Sequence, residues 1–307
     1  MNKTITENQA MKMYGQWARL QTVAWGMSEA KTIEHITSRL VLVEREPPDL
    51  VAKLYHPGSA SPSAVKLDVP RASGTVAVVP IRGVIYQRRN WMGDVFTEEL
   101  SAMIGGLVRN ETIGAIVLDV DSPGGTVSGT PELAEEIRGH RGAKPIYSLS
   151  NPEMASAAYW IGSAADKTFV TPSGEVGSVG VWTVHVDMSK MLEEAGLKVT
   201  AISAGKYKLE GNPWEPLGDE AREAIQADVD LYYDQFVEAV AKSRNRRATT
   251  VRNGFGEGRM VTAQEAVDEG MVDGIATMGE LLGALVPKRR GTSVASASLD
   301  IELAEDG

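Results

Sequence analysis

Four short runs of this 307-residue chain hold side chains whose types and spacing could do chemistry. Ser156 stands in NPEMASAAYWIGSAADK (151–167), Ser178 in PSGEVGSVGV (172–181), Gly124 and Gly125 in DVDSPGGTVSG (119–129), and Lys206 and Lys208 in SAGKYKLEGNP (203–213). Successive glycines open backbone dihedrals closed to other residues and let amide N–H groups approach a ligand without side-chain obstruction. Such donors hold either a phosphate or a carbonyl oxyanion. The lysine and hydroxyl of a G-x-x-x-x-G-K-[ST] phosphate loop are missing here, which points to the oxyanion. A serine is a weak nucleophile until a base takes its proton. Small residues also suit close helix packing, and a Gly-Gly pair also suits a tight turn, so no single run decides the matter.

The choice of base narrows the chemistry. The histidines are His35, His56, His140 and His185, and none stands in a glycine-rich loop. A Ser-His-Asp triad is defined by geometry and not by chain order, so His185 in VWTVHVDM stays open. Lysine is the other candidate. A free lysine titrates near ~10.4, and holding one neutral near pH 7 requires about 4 kcal/mol of preference for the amine. Burial without a carboxylate partner supplies that preference, and a hydroxyl such as that of Ser178 could orient the neutral amine. Lys206 and Lys208 would face the same way on an extended chain, so parity leaves both open.

The elements around these runs follow from periodicity. Residues 1–55 have a helical apolar spacing, through Trp17, Leu20, Val23 and Ala24, then Ile33, Ile36 and Leu40. HPGSASPSAVKLDVPRASG (56–74) has the composition of a linker or arm. From Thr75 strands alternate with helices, the pattern of an α/β fold with buried strands. TVAVVPI, GAIVLDV, PIYSLS, KTFVT and LKVTAIS are predicted strands. TEELSAMIGGLVRN, capped by Thr97, PELAEEIRGH, ASAAYWIGSAAD and MSKMLEEAG are predicted helices. If ASAAYWIGSAAD is helical, Ser156 lies in its first turn. A long helix follows over about 219–242, with Ile225, Val229, Tyr232, Phe236 and Val240 as its core face. A last helix starts at Thr262 with Glu265 completing a capping box, and MVDGI is a closing strand. The tail 287–307 has no periodicity and reads as disordered.

Composition excludes whole classes. With 41 acidic and 31 basic residues the net charge is −10, which argues against a nucleic-acid partner. With no cysteine there is no disulfide, thiolate zinc site or thiol nucleophile. The longest apolar runs, VAVVPI and GAIVL, are far short of a membrane span, so no membrane anchor is expected.

Taken together and in order, SPGG, a serine before small residues and YW with SAADK, GSVGV, and G-K-Y-K followed by GNP resemble the signal peptide peptidase A (protease IV) family. The resemblance covers about residues 75–285 and is nearest to the capsid assembly (prohead) proteases of tailed bacteriophages, KLEGNPWEPLGDEAREAIQ in particular. It implies a ClpP/crotonase-like fold of repeated ββα units, with a peptidase domain over 75–286, and a Ser-Lys serine endopeptidase needing no metal or organic cofactor. Ser156 matches the nucleophile, Lys208 the general base, Ser178 the lysine-orienting hydroxyl, and Gly124 and Gly125 the oxyanion loop; Lys206 is then incidental. The family often has glycine directly after the serine, where this chain has Ala157 and Ala158.

The implied role is prohead maturation in the host cytoplasm, with scaffold and portal or related head proteins as substrates and a homo-oligomer as the working form. Any scaffold would be a separate product, and the small-residue tail segment SVASASLD is a candidate self-cleavage site. The competing readings are a soluble bacterial peptidase degrading peptides, a crotonase-like acyl-CoA enzyme, and an inactive scaffold subunit.

Overall fold

The computed structural model describes residues 53–55, 67–90 and 93–286. The expected N-terminal helices, most of the 56–74 arm and the 287–307 tail lie outside the described residues.

Apolar, β-branched runs form the centre. Among the described residues, β1 (Lys53–Tyr55), β2 (Thr75–Arg82), β5 (Ile113–Ser122), β6 (Ile146–Ala155), β7 (Lys167–Val170) and β10 (Gly274–Ile275) lie side by side in the order β1-β2-β5-β6-β7-β10. All neighbouring pairs are parallel except β1 with β2. β8 (Glu175–Gly177) pairs parallel with the end of β6 and antiparallel with β9 (Met260–Thr262). β3 (Ile85–Tyr86) and β4 (Val95–Phe96) form a small separate parallel pair. The architecture is mixed α/β around a mostly parallel sheet.

The sheet is covered on both faces, which is why its strands read as continuous apolar runs. Ala77, Val79, Ile81, Ile116, Leu118 and Val120 point into the larger core. That core is closed by α1 (Thr97–Arg109), α2 (Thr130–Gly139), α3 (Ala157–Ser163) and the last turns of the long helix, which is α5 below. The alternate residues Val76, Val78, Ala115, Val117, Tyr147 and Leu149 face the other way. They meet Leu281, Leu282 and Leu285 in the C-terminal helix Met278–Leu285.

Several expectations need correction. Thr97 is the first residue of α1, with extended Phe96 as its unhydrogen-bonded cap, because the chain enters the helix directly from β4. Residues 197–203, expected as a strand, form no regular element. No neighbouring strand offers them hydrogen bonds, and Ile202 is 96% exposed. They follow α4 (Ser189–Glu194) in a long exposed excursion from Trp182 to Gly218. In α5 (Asp219–Arg244), Phe236 and Val240 are buried, but Ile225, Val229 and Tyr232 are only half-buried. The first half of that helix runs beyond the end of the core it would cover.

Two further helices were not foreseen, α6 (Ala248–Arg252) and α8 (Met278–Leu285), with α7 (Ala263–Asp268) between them. The capping box of α7 is present as expected, with Glu265 Oε2 accepting from both the Thr262 N–H at 3.0 Å and its hydroxyl at 2.7 Å.

Candidate active site

Ser156 sits where β6 ends and α3 begins, and the turn between them is sharp. Its φ of 50° and ψ of −121° are rare for a residue with a side chain, a strain that persists only when the surroundings hold it. They do so here through two hydrogen bonds. The Ser156 N–H donates to Gly177 O at 2.8 Å, and its carbonyl accepts from the Trp160 N–H at 2.9 Å. Ser156 is 1% exposed. The small residues around it have a packing role as well: a Cβ on Gly162 would lie 2.3 Å from Met154 Sδ, so α3 could not sit on β6 with any larger residue there.

The Gly124–Gly125 turn is fixed from two sides. Ser122 Oγ donates to Gly83 O at 2.6 Å and accepts from the Gly124 N–H at 3.2 Å. The Ile85 N–H donates to Gly124 O and the Thr126 N–H to Ile85 O, each at 2.9 Å, forming a bridge between Ile85 and Gly125. Gly124 has φ +98°, open to glycine. A Cβ on Gly125 would lie 1.9 Å from Ile85 O. The Gly125 N–H makes no hydrogen bond among the described residues.

Gly125, Ser156, Ala157, Trp160, Gly180 and Phe236 border one small cavity. Ser178 lies two residues before Gly180, with φ 53°, and its N–H donates to Arg259 O at 2.8 Å. The predicted serine and the second predicted glycine are thus brought to one place, with Ser178 on the adjoining strand end. Sequence reasoning did not pick out Ala157, Trp160, Gly180 or Phe236. Ala157 is the first helical residue, and its N–H has no carbonyl within its helix to bond. Trp160 and Phe236 stack with centroids 4.6 Å apart and planes at 7°. Nothing in their spacing signals that contact.

The lysines stand apart from this cavity. Lys206 Nζ donates to Glu220 Oε1 at 2.7 Å and to the Tyr207 hydroxyl at 2.6 Å. The bond to Glu220, then that to Tyr207, raises its pKa, the wrong direction for a base. Lys208 is exposed, its N–H donates to Gly205 O at 3.2 Å, and its side chain does not border the cavity in the single chain. His185 Nε2 pairs with Asn212 O at 2.9 Å and His140 lies beside Glu136, so neither described histidine borders the cavity. Among the described residues no acidic or histidine cluster could hold a metal ion, and no helix is long and apolar enough to cross a membrane.

A strained, buried serine at a strand-to-helix turn, sharing a small cavity with a glycine of a tight turn, defines an α/β protein with a candidate acyl-transfer site. Comparison narrows the class: residues 139–287 match the model of peptidase family S49. Over 202 residues the chain is 30% identical to capsid assembly protease C of Escherichia phage lambda, covering 64% of this chain and 46% of that protein. It is 27% identical over 249 residues to the head-tail preconnector protein GP5 of Enterobacteria phage P21, covering 79% and 48%. It is likewise 27% identical over 245 residues to the putative signal peptide peptidase SppA of Enterococcus faecium, covering 80% and 69%. The chain spans about half the length of the two phage relatives.

Proposed function

We propose that this chain is a serine endopeptidase of the phage capsid-maturation type, with Ser156 as nucleophile and Lys208 as general base. The observation that carries the reading is the strained, buried Ser156, which shares a small cavity with Gly125 and lies in the stretch 139–287 that matches the S49 model. The likeness to a phage capsid assembly protease and a head-tail preconnector protein supports head proteins, scaffold and portal among them, as substrates in an assembling prohead. The peptidase domain is assigned to residues 75–286. The parallel sheet with its short β8–β9 pair beside the serine supports a ClpP/crotonase-like arrangement.

The chemistry runs as follows. The neutral Lys208 amine takes the Ser156 proton as Oγ forms a bond to the scissile carbonyl carbon. The N–H of Gly125, with that of Ala157, stabilises the oxyanion, while Gly124 supplies the turn that aims its neighbour. The carbon–nitrogen bond breaks as the lysine ammonium gives its proton to the leaving amine, and water then releases the acyl group by the same path. Ser178 orients the amine.

Lys208 must leave solvent to act. It lies in the excursion 182–218, which also exposes Val186, Met191, Leu197, Val199 and Ile202. Packing of that segment between copies of the chain would cover the apolar row and desolvate the lysine, which is why a homo-oligomer is the working form in this reading.

Ser156→Ala and Lys208→Ala are each expected to abolish cleavage of an unfolded protein substrate with circular dichroism unchanged, while Lys206→Ala keeps most activity. Near-normal turnover by Lys208→Ala would sink the dyad.

A further inference from the structure

Trp160 borders two spaces of very different size. One is the cavity of about 10 Å³ shared with Ser156, Ala157 and Gly125. Trp160 also lines a groove of about 620 Å³ between α2 and α5, walled by Ala134, Arg138 and Lys242. The indole is 3% exposed and lies flat on Phe236, itself 1% exposed and also on the small cavity, so the stack braces the ring. Its Nε1 makes no hydrogen bond among the described residues. An unsatisfied buried donor is unfavourable, so the ring is not explained by its polar group and contributes through its shape. A space of about 10–15 Å³ on this measure holds roughly one water, which is the size of a methyl or hydroxymethyl group.

We propose that Trp160, braced by Phe236, is the specificity-determining residue of the site. It closes the space that receives the side chain preceding the scissile bond, so that Gly, Ala and Ser are accepted there and branched or aromatic residues are turned away. Removing part of the indole joins the cavity to the α2–α5 groove and admits larger side chains. A single methylene too many in a closed apolar pocket reduces kcat/KM by roughly 10–200-fold, which sets the discrimination expected. The inference rests on Ser156 being the nucleophile.

The test is digestion of an unfolded protein mixture by the full chain, with mass-spectrometric mapping of new termini. Kinetics follow on a peptide bearing this chain's own SVASASLD segment and on versions with Leu or Phe replacing its alanines. Wild type is expected to cut after Gly, Ala or Ser at least tenfold better than after Leu or Phe. Trp160→Leu, and Trp160→Phe, which keeps a ring on Phe236, are expected to raise the ratio of kcat/KM for the Leu peptide to that for the parent peptide at least tenfold. Wild type cutting equally well after Leu or Phe overturns the proposal. So do folded Trp160 variants with an unchanged preference. Should neither variant fold, the wild-type profile alone decides whether the pocket is closed. A Ser156→Ala control separates the two ideas: cleavage that persists in it, or no cleavage by wild type, refutes the peptidase reading and this inference with it. Serine-dependent cleavage without small-residue preference refutes this inference alone.

Discussion

At Gly125 a hydrogen in place of a methyl group is required by contact. A Cβ there would lie 1.9 Å from Ile85 O and 2.6 Å from Ile85 N, both backbone atoms that cannot swing away. Gly180, on the same cavity, has Gly258 Cα as the nearest atom to an added Cβ at 3.7 Å, an ordinary contact. Gly125→Ala is therefore expected to destabilise the fold by about 1–3 kcal/mol through overpacking. Under the proposed mechanism it should also reduce kcat by up to roughly 10²–10³, the usual cost of losing an oxyanion donor, because the Gly125 amide is displaced. Gly180→Ala should change stability by less than about 1 kcal/mol. Urea denaturation with parallel activity assays distinguishes the pair, and equal losses at both positions would remove the special role of Gly125.

Between elements, Arg141 fixes where the helix after Ser156 sits. Its guanidinium donates to Ser163 O at 3.2 Å at the end of α3, to Ala164 O at 3.0 Å and Ala165 O at 2.6 Å just past it, and to Ser243 O at 3.1 Å near the end of α5. One cation thus satisfies the loose carbonyls of two helix C-termini, where the backbone dipole favours positive charge. Burial lowers its pKa from the ordinary arginine value, yet the group remains a cation across the working range. Because α3 carries Ser156 at its start and Trp160 within it, while α5 carries Phe236, this clamp also sets the Trp160–Phe236 stack. Arg141→Ala is expected to lower stability by about 3 kcal/mol, with several charge-assisted bonds lost and carbonyls left unpaired. Arg141→Lys should restore only part of that, since an ammonium cannot fork to two helices. Full recovery by lysine in urea denaturation would refute the clamp.

For the whole molecule, the excursion from Trp182 to Gly218 is the segment that isolated-chain packing does not account for. It carries Ile202 at 96% exposure and Leu197 at 56%, together with Lys208. Apolar side chains exposed in a row are what an association surface presents to a partner. Specific activity is accordingly expected to fall on dilution as the assembly dissociates. Ile202→Asp should lower both the mass seen by light scattering and the turnover while leaving the unfolding midpoint unchanged. A monomeric protein with concentration-independent activity would refute the oligomeric requirement.

Much of this protein is determined by the sequence alone. The apolar runs TVAVVPI, GAIVLDV and PIYSLS become buried parallel strands because nothing but a doubly covered sheet can hide them. The Thr262–Glu265 box starts its helix because cap and carboxylate lie within one turn. The absence of cysteine removes thiol chemistry outright. The order of the four small-residue runs carries the family resemblance, and residues 139–287 match the S49 model.

Other features were decided by contacts between residues far apart in the chain. LKVTAIS has strand composition but no strand beside it, and hydrogen-bond partners across a sheet are not encoded locally. The apolar stripe of α5 is evenly written from Ile225 to Val240, yet only its last turns meet the core. Spacing alone leaves Ser156 open between a packing residue and a nucleophile, and records neither the Gly177 carbonyl that accepts from its amide nor its positive φ. The 1.9 Å approach of Gly125 to Ile85 and the Trp160–Phe236 stack arise in the same way. Periodicity records which side of its own element a residue takes. Only the packed chain decides what stands opposite, and at this site the opposing atom is what makes a small residue obligatory.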